Sequence, residues 1–152
     1  MDSIKLTPIG VVTSEIKEAT DENWGSVTST IKLSPEFAPG LLGLDSFSHA
    51  VILTYLHQAS FDKAKHLQRR PRGWAHLPLL GIFAQRAKSR PNPIGITVVK
   101  ILSILKDELV VQGLDAVDAT PVLDIKPYFP QYDHAPNPRT PAWVAELMKG
   151  YF

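Results

Sequence analysis

The chain has 152 residues, 44% hydrophobic and 20% charged, with a formal net charge of +1 and no cysteine. That length suits one domain with one core, and no apolar run approaches the roughly 20 residues that span a bilayer. Disulfides, thiolate catalysis and cysteine-bound zinc are excluded, and “MDSIKLTPIGVV” lacks the flanks of a secretory signal, so a cytoplasmic protein without a membrane partner is expected.

In chain order, “IKLTPIGVV” and “SVTSTIKL” are short β-branched runs bounded by Gly, Pro, Asp or Ser, and they read as strands. “SPEFAPGLLGLDSF” offers Ser34 as a cap and Pro35 as a first helical residue, but Pro39 and Gly40 limit it to a short helical connector. “HAVILTYL” is a strand, and the charged, proline-bearing stretch from Ser60 to Pro78 reads as a long mobile loop. “LLGIFA”, “GITVVKILSIL” and “ELVVQGL” complete the strands, with Lys106, Asp107 and Glu108 marking a hairpin between the last two. “YFPQYDHAPNPR” reads as extended. Thr140 and Pro141 open a C-terminal helix whose Val144, Leu147, Met148 and Tyr151 face the body. Six or more short strands without long helices between them predict a mainly β fold, an antiparallel barrel with a C-terminal helix, as a single domain over 1–152.

Charge is unevenly spread. Lys63, Lys65, Arg69, Arg70, Arg72, Arg86, Lys88 and Arg90 are half of the sixteen Lys and Arg residues and share their window with one acid, Asp62. A surface that meets phosphates has this footprint, and so does a solvated basic loop. “GIFAQRAKSRPNPIG” runs a strand into a turn stiffened by Pro91 and Pro93, with Gly95 permitting close approach. “GLDAVDATPVLDIKPYFP” sets Asp115, Asp118, Asp124 and Lys126 among apolar residues. The five histidines have no metal-ligand spacing, so no metal is expected; a nucleophile elbow, a dinucleotide fingerprint and a P-loop are all absent.

Those two long motifs, with “GLDSFSHAVIL” and “PIGVVTS”, resemble in order and spacing the TsaA-like, or TrmO-type, family of S-adenosylmethionine-dependent tRNA methyltransferases, from about Ile4 to Pro130. The resemblance implies a non-Rossmann barrel, a homodimer with the cofactor near the subunit interface, and methylation of the exocyclic nitrogen of threonylcarbamoyladenosine beside the anticodon. It places Phe83, Ala84, Gln85, Arg86, Arg90, Ile94 and Gly95 on one wall of the cofactor site and Leu114, Asp115, Asp118 and Thr120 on the other. A urea-like nitrogen is a poor nucleophile, so Asp118 or Asp124 is expected as base or orienting group, Lys126 and Arg86 as cations beside developing charge, and Tyr128 as a stacking or hydrogen-bonding group. An Asp124–Lys126 ion pair is the plainer alternative for Asp124. Arg69, Arg70, Arg72 and Lys88 are expected to bind the tRNA anticodon arm, and Tyr128, Phe129 and Tyr132 to anchor the dimer.

The chain also departs from the family. It has Gln85 where many relatives have Thr and Ala119 where they have Gly, it replaces a Gly-Gly-Asn step with “GWAHLPLL”, and no counterpart of their second, smaller domain is expected after its C-terminal helix. Two alternatives therefore stand beside tRNA methylation: methylation of a small molecule, and a non-catalytic S-adenosylmethionine-binding module.

Overall fold

A computed structural model describes residues 2–152. Six strands, β1 (Gly10–Thr13), β2 (Thr28–Leu33), β3 (His49–Tyr55), β6 (Ile94–Leu105), β7 (Glu108–Gln112) and β8 (Pro121–Pro127), close into a barrel. Its order is β1-β2-β7-β6-β3-β8, and every pairing is antiparallel. Closure leaves these strands no free edge.

Alternation in the sequence becomes inside and outside here. Val12, Ile31, Leu33, Ala50, Ile52, Val99, Leu109, Val111 and Val122 fill the interior. Leu41 and Leu44 close one end of the core, while Leu114 and Ala116 close the other. The first pair comes from 3-10 turns at Ala38–Leu41 and Leu44–Ser46, which are the predicted helical connector divided in two by Gly43 at φ 86°. The hairpin between β6 and β7 turns on Lys106, at φ 54°, and Asp107, with Glu108 already in the strand.

Two bulges shape the sheet. On β6 the extra residue is Leu102, since Ile101 and Ser103 face the consecutive Val111 and Val110. On β8 it is Leu123, since Leu53 and Thr54 face Asp124 and Val122. A bulge re-aims the side chain it carries.

The stretch 60–78, expected as an unstructured loop, is folded. The Asp62 carboxylate accepts the Ala64 N–H at 2.9 Å and caps α1 (Lys63–His66). β4 (Gln68–Arg69) pairs with β5 (Leu80–Gly81), and a 3-10 turn at Pro71–Gly73 lies between them. Arg70 donates to the Leu77 carbonyl, while Arg72 pairs with Asp21 at 3.7 Å and lies 5.4 Å above the Trp74 ring. Local side-chain hydrogen bonding thus orders residues whose composition reads as loop.

The stretch expected to be extended contains a short helix, α2 (Pro130–Asp133), before the C-terminal α3 (Ala142–Leu147). No residue of α3 is buried, so the expected apolar seam is weak. The chain end anchors it instead. The N–H groups of Asn23 and Trp24 donate to the Gly150 and Tyr151 carbonyls, both at 2.8 Å, and Glu146 meets His76 at 2.9 Å. The Tyr151 hydroxyl donates to Asp115 at 2.8 Å. Burial, followed by the Asp115 charge, pushes that phenol well above the usual tyrosine range, so the neutral donor persists throughout ordinary pH.

Gly95 explains the close approach foreseen at this position. A Cβ there would strike Thr54 Oγ1 and stand 3.1 Å from Leu56 Cδ2. Gly95→Ala is expected to cost about 1–3 kcal/mol by overpacking. Thr54→Ala in the same chain should restore part of it, a non-additivity that a denaturant double-mutant cycle measures. Strictly additive costs would contradict the contact.

Candidate active site

In a closed barrel of six antiparallel strands, alternate connections leave from the same end. Residues 14–27, 56–93 and 113–120 therefore share one end, while 34–48 and the 106–107 turn occupy the other. Both long sequence motifs contribute to the first end.

The first motif forms a stiff arch. Ile82, fully buried, seats a 3-10 turn at Ile82–Ala84. The Gln85 amide donates to the carbonyls of Arg69 at 2.8 Å and Leu80 at 3.0 Å. Arg90 donates back to Gln85 O at 3.2 Å, and Arg86 reaches Ile96 O on β6 at 2.8 Å. Leu56 N donates to Pro93 O at 2.7 Å and ties the arch to the end of β3. Arg86 and Arg90 thus hold the loop's shape through main-chain acceptors.

The second motif is clasped from both sides. Asp118 accepts the Ser14 N–H at 2.9 Å and pairs with Lys17 at 2.7 Å. The Lys17 ammonium, followed by the Ser14 N–H, holds its carboxyl below the ordinary range. Ala119 sits at φ 63°, in the left-handed region that favours glycine. Asp115 accepts hydrogen bonds from the Thr97 hydroxyl and from Tyr151.

The two motifs meet in a cleft of about 380 Å³. Asn92, Pro93 and Ile94 line one side, Pro121 and Leu123 another, with Tyr55 and the N-terminal Ile4, Leu6 and Pro8 completing it. Its volume lies within the roughly 300–1,000 Å³ of ligand sites, which are mostly apolar with a few polar groups. Prolines and aliphatic chains in the lining suit a flat heterocycle, while the Asn92 amide and Tyr55 phenol offer hydrogen bonds. This donor set fits an adenosine-bearing cofactor.

The expected site residues divide. Ile94 lines the cleft and Gly95 follows it, whereas Leu114 and Thr120 are core, the Thr120 hydroxyl being spent on Val117 O at 2.7 Å. Gln85 is buried support, and Phe83 and Ala84 project into solvent outside the cleft lining. Asp124 and Lys126 pair at 2.6 Å on the outer side of β8, the plainer alternative stated for them. Tyr128 stands beside His49, their ring centroids 6.3 Å apart, at the far end of that strand. At roughly 3.3 Å per residue, Tyr128 is about 20 Å along β8 from Pro121, so one chain does not bring it to the cleft. Of the basic residues, Arg70 and Arg72 are engaged within the fold, while the side chains of Lys63, Arg69 and Lys88 make no ion pair or hydrogen bond among the described residues. Also among the described residues, no cluster of His, Asp and Glu could hold a metal ion, and no helix is long and apolar enough to cross a membrane.

Sequence reasoning missed Tyr55, Leu123 and the N-terminal segment. Leu123 enters the cleft through a one-residue bulge, which strand alternation does not announce. Asn92 and Pro93 lie inside the turn already singled out, where their spacing marked rigidity.

Comparison with known proteins joins this geometry. A probable S-adenosyl-L-methionine-binding protein of Pyrococcus abyssi is 38% identical over 137 residues, which cover 87% of this chain and 72% of that protein. The tRNA (adenine(37)-N6)-methyltransferase of Escherichia coli is 36% identical over 148 residues, covering 90% of this chain and 63% of its own. A crystal structure of TrmO from P. aeruginosa superimposes with a TM-score of 0.77 at 31% identity, over 94% of this chain and 62% of that one. The family model for the tRNA-methyltransferase O N-terminal domain matches residues 18–134, and the chain belongs to that family.

Proposed function

We propose that the protein is an S-adenosylmethionine-dependent methyltransferase of tRNA. Its target is the exocyclic nitrogen of the adenosine beside the anticodon, in its threonylcarbamoyl form. One observation carries the reading: the two motif walls converge on a single apolar cleft at the barrel end from which the basic stretch 63–90 also projects. The E. coli relative's name supplies the position of the base, and a tRNA substrate supports the expected cytoplasmic location.

When bound, S-adenosylmethionine supplies an electrophilic methyl on a sulfonium. Pro93, Ile94, Pro121 and Leu123 would hold the adenosine and exclude water, and Asn92 and Tyr55 would orient its polar edge. The target nitrogen shares its lone pair with a carbonyl and must lose its proton as the new bond forms. Asp118 is held ionised by Lys17, with both oxygens engaged, and acts as a fixed anion that orients. Asp124 follows Leu123 in the chain but lies outside the cleft lining, its oxygens taken by the Ile125 N–H at 2.9 Å and Lys126 at 2.6 Å. To take the proton it must first release Lys126, which is then free to stabilise negative charge on the acceptor's carbonyl.

The molecule works as a homodimer. Ile94, Ile96 and Val98 on the outer face of β6 are 41%, 49% and 48% exposed, and they lie across from Tyr55, Leu53 and Val51 of β3. This stripe runs directly into the cleft through Ile94 and Tyr55, so a second copy seated on it covers the cleft rim. Tyr128, distant from the cleft in its own chain, lies at the far end of the same trio of strands.

Titration calorimetry should detect S-adenosylmethionine binding to the wild-type chain. Leu123→Trp, which fills the cleft from a half-buried bulge, should weaken it at least tenfold with the melting temperature little changed. No heat from the wild type under varied conditions, or unaltered binding by the filled variant, would overturn the assignment.

Light scattering should give the mass of two chains at micromolar concentration, and Val98→Asp should give one. A wild-type monomer would count against the dimer.

A further inference from the structure

The aromatic ring of Phe83 is 79% exposed on an otherwise ordered turn. Its neighbours are fixed from every side: Ile82 is fully buried, Ile82 N donates to Leu67 O at 3.0 Å, and Gln85 is hydrogen-bonded to Arg69 and Leu80. The fold therefore presents Phe83 to solvent by construction. Packing leaves that exposure unexplained, because the ring supports neither the barrel core nor the cofactor cleft.

Its electrostatic setting is one-sided. β4 carries Arg69 alongside this turn, Arg86 follows Phe83 by three residues, and Lys88 is exposed two residues further on. The one acid of the window, Asp62, caps α1 and lies 3.6 Å from Lys65. An exposed aromatic face among unopposed cations is the arrangement by which proteins bind unpaired nucleotides, the cations meeting phosphates and the ring stacking on a base.

We propose that Phe83 is a base-stacking platform that receives an unpaired nucleobase of the RNA substrate, with Arg69 and Lys88 holding the adjoining phosphates. The proposal rests on the tRNA reading above and adds to it the residue that senses a base. Phe83 thereby moves from the cofactor wall, where the sequence motif placed it, to the polynucleotide.

The experiment uses the full chain and two probes: an RNA stem–loop of anticodon-arm shape, and the same stem–loop with abasic loop nucleotides. Phe83→Ala should bind the intact loop roughly tenfold more weakly than wild type, within the range for one lost base stack. It should bind the abasic loop as the wild type does and keep wild-type affinity for S-adenosylmethionine. Phe83→Trp should restore preference for the intact loop, with tryptophan fluorescence quenched on binding beyond any change in the wild type. Equal losses on both probes, no loss on either, or no quenching in the Trp variant would each overturn the proposal. A wild-type chain that binds cofactor but neither RNA would overturn the tRNA reading as well, whereas RNA binding indifferent to loop bases would overturn the platform alone.

Discussion

Closure of the six-stranded barrel is the constraint on which the site depends. With all pairs antiparallel, strand directions alternate, and three of the five inter-strand connections must emerge together. Between them those three carry the proline arch, the clasped aspartate loop and the basic excursion. The buried rows of Val, Ile and Leu fix strand register, because a slip by one residue would turn each inward row to solvent. Register in turn decides which residue becomes the β8 bulge. Leu123 reaches the cleft only because Val122 remains inside opposite Thr54.

Many of the charges around the site maintain shape. Arg86, Arg90, Arg70 and Arg72 each donate to main-chain carbonyls, and Lys17 clasps Asp118. Loops of this length have few backbone partners of their own, and guanidinium forks supply bridges between segments far apart in sequence. Lys63, Arg69 and Lys88 lack such duties among the described residues, and they are the charges available to a polyanion. The separation assigns shape to one group of cations and attraction to another, a distinction the count of eight conceals.

Much of the fold was legible because period-two alternation is a direct image of a half-buried strand. The hairpin at Lys106 and Asp107 and the shortness of the helical connector follow from local chemistry, although the break falls at Gly43 and leaves Pro39 and Gly40 inside the first turn. The excursion at 60–78 was not legible as structure, since its local bonds, such as Asp62 to Ala64, are joined by partners far away in the chain, Asp21 for Arg72 and Glu146 for His76. The site was legible as two motifs but not as a cleft. Asn92 to Gly95 and Pro121 to Asp124 announced themselves by composition, yet Tyr55 reads as an ordinary strand end and Leu123 as an ordinary strand residue. Asp118 and Tyr128 belong to one sequence motif, yet the extended strand between them carries Tyr128 away from the cleft.

Methyl transfer to a modified tRNA base is the activity proposed for this barrel end. The most direct test incubates the purified chain with methyl-labelled S-adenosylmethionine and bulk tRNA, with and without the threonylcarbamoyl group. Label is expected in the tRNA only when the modification is present, with none incorporated by the Leu123→Trp chain. Label absent from both tRNA preparations, while the wild-type chain binds the cofactor, would contradict that proposal.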